Sequence, residues 1–237
     1  MNYFAHGRTF LDNPLIVAGA ALPDWLCVVD RRIRIHSHQA EPFLAEADPA
    51  MASFAWGIMR HHYDDAWFHQ TTAFAELSLA LCGRVRDLLR DQDGLRPYFL
   101  GHILVEILLD AALIDDCPAA LEAYYAAIGS LDPAHVEGLV TQIAARPAPR
   151  LAEFIRIFLR ERFLSDYADD AKLLVRLNQV MRRVKLPPLP ERLTDLLPEA
   201  RLEVGKRKND LLEPPAGARF LAKPSIKTPE IRPCALA

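Results

Sequence analysis

The sequence contains the segment Gly101-His102-Ile103-Leu104-Val105-Glu106-Ile107-Leu108-Leu109-Asp110. Its three ionisable side chains are four positions apart, and only apolar residues lie between them. Residues four positions apart share one face of a helix, so His102, Glu106 and Asp110 are expected to form a single row. A helix that is apolar all round belongs in a protein core. Burying three ionisable groups there is costly unless they are paired or bind a metal ion. The segment therefore predicts a core helix whose polar row needs partners.

A second row with the same spacing lies upstream, in the segment His61-His62-Tyr63-Asp64-Asp65-Ala66-Trp67-Phe68-His69. Its members are His61, Asp65 and His69. An imidazole and a carboxylate four positions apart on a helix can hold one cation. We expect the two rows to face each other as the walls of one metal site. The alternative is a structural network in which the same groups only pair with one another.

Further candidates lie outside the two rows. Asp24 follows Pro23 in an apolar segment, where it either caps a helix or points into the site as a metal ligand. His6 lies in an apolar opening, and we place it in the metal-binding set because the other buried polar residues already form a set. Asp64 or His62 would replace a neighbour in the second row if the helical register differs by one position.

The rest of the chain has a helical pattern. Segments 74–89 and 151–163 show apolar residues at spacings of three and four, and no segment shows the alternation typical of strands. We predict an all-α protein, with a single multi-helix bundle over residues 1–204. A Pro-rich tail over 205–237, with seven Lys or Arg against three Asp or Glu, is expected to be disordered or extended. The predicted helices are 14–22, 24–30, 42–69 with a break near Asp48-Pro49, 72–91, 97–114, 118–128, 133–145, 148–164, 166–184 and 190–203.

The amino-acid composition and the terminal segments limit the partners and the cellular location that we expect for the protein. The formal net charge of −3 gives no broad surface for nucleic acid, so we predict no nucleic-acid partner. The four cysteines (Cys27, Cys82, Cys117 and Cys234) are far apart and are expected to be free thiols. The opening lacks a signal-peptide pattern, and the apolar run 14–22 is too short to span a bilayer. These features predict a cytoplasmic protein with no stable membrane anchor.

The chemistry that suits such a cluster is hydrolysis by metal-activated water. The sequence has no nucleophile elbow, phosphate-binding loop or dinucleotide fingerprint. Mixed nitrogen and oxygen ligands suit Mn, Fe, Zn or Mg, and the number of candidate ligands favours two divalent ions. His69 and His102 are predicted to be catalytic residues that transfer protons, because imidazole titrates near neutral pH.

Several segments, which together cover about residues 1–203, resemble the acyl carrier protein phosphodiesterases, metal-dependent helical hydrolases related to the HD-type phosphohydrolases. This resemblance implies an HD-like bundle and a phosphodiesterase that releases phosphopantetheine from holo acyl carrier protein. It also implies metal binding by Asp24, His61, Asp65, Glu106 and Asp110, with His6 and His102 nearby. The matching segments are Met1-Asn2-Tyr3-Phe4-Ala5-His6, Gly19 to Asp24, Gly57-Ile58 with His61 and Asp65, Phe99 to Asp110, and Arg162 to Arg183.

The chain also departs from that pattern: it has Ala111 where the family has His, and His62 where the family more often has Arg. Two alternatives therefore remain: a hydrolase similar to zinc-dependent phospholipase C, or an inactive helical binding module. If the partner is an acyl carrier protein or another acidic substrate, it needs a basic docking surface. The candidates for that surface are Arg31, Arg32, Arg34 and Arg182-Arg183.

Overall fold

A computed structural model describes residues 1–218 and 220–223, and within these residues the chain is helical with no strand, which confirms the predicted all-α class. Short 3-10 segments, Glu41–Ala45, Phe163–Ala168 and Glu191–Leu196, connect some of the helices. The α-helices are α1 (Tyr3–Gly7), α2 (Pro14–Val29), α3 (Ser37–Ala40), α4 (Pro49–Phe68), α5 (Thr72–Leu88), α6 (Pro97–Asp116), α7 (Pro118–Gly129), α8 (Pro133–Ala144), α9 (Leu151–Glu161), α10 (Asp170–Val184), α11 (Leu197–Lys206) and α12 (Lys208–Leu212).

Two helix boundaries bear on the predicted sites. The predicted break near Asp48-Pro49 is confirmed, because the Asp48 side chain accepts a hydrogen bond from the Ala50 N–H and starts α4. The predicted division of 14–22 from 24–30 is wrong, because α2 continues through Pro23. Proline removes only one helical hydrogen bond, and the buried apolar face of α2 continues past it to Trp25 and Leu26. Asp24 therefore lies inside a helix and does not cap one.

The helical part of the chain extends beyond the predicted boundary at residue 204. Helix α12 ends at Leu212, and Leu211 is completely buried. The boundary was predicted too early because the residues around Leu211 are polar and basic. That composition does not reveal that the leucine is buried and holds α12 against the bundle. Farther along the predicted tail, the Trp56 indole N–H lies within hydrogen-bond distance of the carbonyl oxygens of Leu221 and Ala222. The remainder of the predicted tail, with Cys234, lies outside the described residues, whereas Cys27, Cys82 and Cys117 are free thiols.

Helices α2 and α4 pack with their backbones in close contact. A Cβ atom added to Gly57 would lie 2.4 Å from the Ile16 carbonyl oxygen, and one added to Gly19 would lie 2.2 Å from the Phe54 carbonyl oxygen. Only glycine at both positions permits this approach. The crossing therefore places Asp24 of α2 beside the second polar row on α4.

Helix α6 lies in the core of the bundle and packs against α1, α5 and α11. Leu100, Leu104 and Leu109 have no exposed surface. By length and hydropathy α6 also resembles a membrane span, but the core helices of soluble proteins pass the same test. The short helix α1 contacts α2, α4, α6 and α7, so the first residues of the chain lie between the two polar rows.

Candidate metal centre

The first cluster consists of His6, His61 and Asp65. The Nε2 of His6 lies 3.3 Å from Asp65 Oδ1, and the Nε2 of His61 lies 3.4 Å from Asp65 Oδ2. The two imidazole rings stack with centroids 4.1 Å apart. One possible ligand atom from each residue falls within 4.8 Å of the other two. The three groups therefore converge closely enough to share one ion.

The hydrogen bonds of His61 determine which of its nitrogens is available. Its Nδ1 lies 2.8 Å from the Ala20 carbonyl oxygen, and because a carbonyl only accepts, Nδ1 must carry the proton. In a neutral ring, Nε2 then presents its lone pair to the Asp65 carboxylate. Two electron-rich atoms this close repel each other unless a proton or a cation lies between them. A backbone carbonyl that fixes the other ring nitrogen is the usual arrangement for a metal-binding histidine.

His6 is the most deeply buried member of this cluster. Its side chain has no exposed surface, and its Nδ1 and Nε2 lie 3.8 Å and 3.3 Å from carboxylate oxygens of Asp64 and Asp65 without the geometry of a hydrogen bond. A buried polar atom without a partner costs free energy, roughly 1–3 kcal/mol in proteins. A cation bound to one of the nitrogens would remove part of that cost, so the donor atoms of this cluster fit a metal ion.

The second cluster consists of His69, His102 and Glu106. The Nε2 atoms of His69 and His102 lie 2.9 Å and 3.2 Å from Glu106 Oε1. Burial opposes ionisation of Glu106, but the Met1 amino group and the two imidazoles outweigh it and lower the pKa of the carboxyl to about 2. Both histidine side chains are 32% exposed. This cluster is therefore reachable from solvent, which a hydrolytic site requires.

The Met1 amino group connects the two clusters. Its nitrogen lies 2.6 Å from Asp65 Oδ1 and 3.5 Å from Glu106 Oε1. Burial lowers the pKa of this amine, but the charges of Glu106 and Asp65 raise it by more, so the pKa is raised overall. The position between the two carboxylates therefore favours a positive charge. The polar row of α4 and the polar row of α6, which were predicted to face each other, thus both contact the Met1 amino group.

Asp24 lies beside the clusters but belongs to neither. Its Oδ2 is buried and makes no hydrogen bond to a described residue. Burial raises the pKa of the carboxyl to about 7, although His61 opposes the shift. A buried carboxylate oxygen without a donor is available to a cation, and Asp24 thus remains a candidate ligand.

Asp110 was predicted to be a metal ligand, but the structure places it outside both clusters. Its two carboxylate oxygens accept hydrogen bonds from the backbone N–H groups of Phe4 and Ala5, at 3.0 Å and 2.8 Å. Its side chain is completely buried, and burial raises its pKa to about 6. Because α1 begins at Tyr3, these N–H groups are ones that the helix itself leaves unsatisfied. Asp110 therefore fixes the position of α1 in the bundle.

Replacing Asp110 with asparagine tests this structural role. The amide oxygen can accept from one N–H, but the amide NH2 would face the other donor, so we expect a loss of about 1–3 kcal/mol in the free energy of unfolding. Urea denaturation of Asp110→Asn in the presence and absence of Mn²⁺ measures it. The loss should be the same in both conditions. A loss seen only with Mn²⁺ would assign Asp110 to the metal site instead.

The neighbours of the second row make structural contacts. Asp64 accepts hydrogen bonds from the Arg60 guanidinium at 2.8 Å and from the Trp67 indole at 3.2 Å. The Nε2 of His62 donates to the Ile35 carbonyl oxygen at 2.7 Å. The register of α4 therefore follows the predicted row of His61, Asp65 and His69. Neither Asp64 nor His62 replaces a member of that row.

Some features of the site had no signal in the sequence. The position of the Met1 amino group depends on where α1 packs, and nothing in Met1-Asn2-Tyr3 indicates it. No family model, curated protein or solved structure matches the chain.

Proposed function

We propose that the protein is a divalent-metal-dependent hydrolase of phosphodiesters, as its resemblance to the acyl carrier protein phosphodiesterases implies. The observation that carries the proposal is the pair of His and carboxylate clusters, one containing His61 with its Nε2 directed at Asp65 and one centred on Glu106. A purely structural network would pair each buried nitrogen. In His6 the Nδ1 and Nε2 lie 3.8 Å and 3.3 Å from carboxylate oxygens of Asp64 and Asp65, but neither contact has hydrogen-bond geometry.

Each cluster is suited to one ion, so the two clusters together would bind two. His6, His61 and Asp65 would hold the first ion. Glu106 and one imidazole of the pair His69 and His102 would hold the second, with Asp24 available to either. Nitrogen and oxygen donors together suit Mn, Fe, Zn or Mg. When bound, such ions polarise a phosphoryl group and make water a stronger nucleophile.

The residues of the chain supply the remaining steps. The imidazole of this pair that does not hold the ion is partly exposed and would accept a proton from the attacking water and return one to the leaving oxygen. Water adds to phosphorus, one phosphorus–oxygen ester bond breaks, and the products are an alcohol and a phosphomonoester. The Ala20 carbonyl holds the His61 ring in the orientation that keeps its Nε2 directed into the site.

Metal analysis combined with a substrate panel tests the proposal. We expect the purified protein to contain, or to take up, close to two divalent ions and to hydrolyse at least one member of a panel that includes holo acyl carrier protein and bis(p-nitrophenyl) phosphate. Chelation should abolish turnover, and added Mn²⁺ or Zn²⁺ should restore it. A chain that binds no divalent ion and turns over no phosphodiester would be the inactive helical module.

A further inference from the structure

A cavity of about 600 Å³ opens beside the metal centre, between α2, α6, α9 and α10. Its volume lies within the range of roughly 300–1,000 Å³ that small-molecule sites occupy. Most of its wall is apolar or aromatic. The wall includes Phe99, Ile103, Ile107, Phe154, Phe163 and Val180.

The inner part of this cavity reaches the candidate metal ligands. Asp24 and Glu106 both line it. Asp24 contributes a carboxylate with an unpartnered buried oxygen, and Glu106 belongs to the second cluster. A molecule that fills the cavity would therefore place one end against the metal centre and the rest against apolar side chains.

Arginines from two separate parts of the sequence line the same cavity. Arg31 and Arg183 are exposed, and neither forms an ion pair with another described residue. Arg176 also lines the cavity, but its guanidinium is held by Asp166 at 2.6 Å. Arg32, another candidate for a basic docking surface, is paired with Asp30 at 2.9 Å. The unpaired positive charge at the cavity is thus that of Arg31 and Arg183, which attracts anionic ligands. Glu161, which also lines the cavity, is paired with Arg160.

We propose that this cavity binds the apolar chain of an amphiphilic phosphodiester, with its phosphate at the end formed by Asp24 and Glu106. The inference rests on the proposed function and narrows its substrate class. An apolar wall stabilises a hydrocarbon chain by removing it from water. The substrate is therefore either a lipid or a carrier-bound phosphodiester that bears an acyl chain.

Binding of a homologous series tests the cavity without relying on turnover. The probes are methyl(alkyl)phosphinates with hexyl, octyl and decyl chains, whose charged PO2 group resembles that of the diester and whose two phosphorus–carbon bonds resist hydrolysis. They are used below their micelle concentrations with the metal-loaded full-length protein. Burial of each methylene should tighten binding by about two- to fourfold. Calorimetry measures the slope of affinity against chain length. A flat series in the wild-type protein would overturn the proposal.

Two pairs of variants test where the apolar chain of the probe and its charged group bind. Val180→Trp fills the cavity and should flatten the chain-length series, whereas Val175→Trp, on the same helix but 56% exposed and outside the cavity, should leave it intact. Arg183→Gln should weaken all three probes by a similar factor of several-fold, and the exposed neighbour Arg182→Gln should not. Equal effects within either pair would contradict this placement of the ligand.

Turnover assays distinguish the two possible sources of the apolar chain, a lipid and an acylated carrier protein. They also distinguish the proposed chain-binding cavity from the proposed hydrolase activity. Dioctanoyl phosphatidylcholine and octanoylated carrier protein are compared with holo carrier protein without an acyl group. Preference for the first or second substrate identifies the source of the chain. Chain-length-dependent binding without any turnover would support the cavity assignment while refuting the hydrolase. Hydrolysis of unacylated holo carrier protein with a flat binding series would support the hydrolase while refuting the chain-binding cavity.

Discussion

Replacement of Glu106 with glutamine is expected to lower turnover by about a hundredfold to a thousandfold and to remove one bound divalent ion. Glutamine keeps the size of the side chain but removes the negative charge that lies 2.9 Å from His69 and 3.2 Å from His102. Loss of a partner outside the ligand set already costs roughly 10–100-fold in metal affinity or activity, so loss of a ligand should cost more. Metal analysis and steady-state kinetics of Glu106→Gln measure both effects.

The same variant distinguishes a metal centre from a structural network. A ligand at 100 times its dissociation constant stabilises a protein by about 2.7 kcal/mol, so Mn²⁺ should raise the melting temperature of the wild-type protein and raise that of Glu106→Gln much less. Asp115→Asn is the matched control, because Asp115 is exposed on the same helix and belongs to neither cluster. If Glu106→Gln lowers stability equally with and without metal and retains full activity, the cluster is structural.

Replacement of Gly57 with alanine is expected to cost about 3 kcal/mol or more of unfolding free energy. The new Cβ would lie 2.4 Å from the Ile16 carbonyl oxygen and 3.0 Å from the Ala20 nitrogen, both of which are backbone atoms of α2. The two helices would have to separate, and overpacking of a well-packed interface typically costs 1–3 kcal/mol even when side chains can move. Chemical denaturation of Gly57→Ala measures the loss.

Gly138→Ala is the matched control for that experiment. Gly138 also lies inside a helix, α8, but an added Cβ would meet no atom within 4 Å. Removing a glycine from a helix interior should therefore stabilise the protein by roughly 0.5–1 kcal/mol. Since Ala20 also accepts the hydrogen bond of His61, separation of α2 from α4 should weaken metal binding in Gly57→Ala and leave it unchanged in Gly138→Ala. Two variants of equal stability would refute the close α2–α4 contact.

The sequence predicted the helical fold and the two polar rows because both depend on short-range periodicity. Residues spaced by four positions must share a helix face whatever the tertiary structure. Because the residues around His102 and Glu106 are apolar, their ionisable groups were expected to be buried and to need polar partners. In the structure, His69 is such a partner of Glu106. The boundary at residue 204 was missed because Leu211 lies in a basic, proline-rich context whose composition hides the burial of one side chain.

The placement of Asp110 and of the apolar cavity required the tertiary structure. Asp110 has the same spacing from Glu106 as His102 has, but it lies one turn farther along α6, where α1 packs and its N–H groups occupy both oxygens. The cavity joins Arg31 with Arg183, which are far apart in the chain, and periodicity carries no information about such distant contacts.

The central claim is that the two clusters bind divalent ions, and anomalous diffraction from crystals grown with Mn²⁺ tests it most directly. We predict one anomalous peak within coordination distance of His6, His61 and Asp65, and a second beside His69, His102 and Glu106. Crystals grown with Mn²⁺ at concentrations that fully support activity, but with no anomalous peak at either cluster, would contradict it.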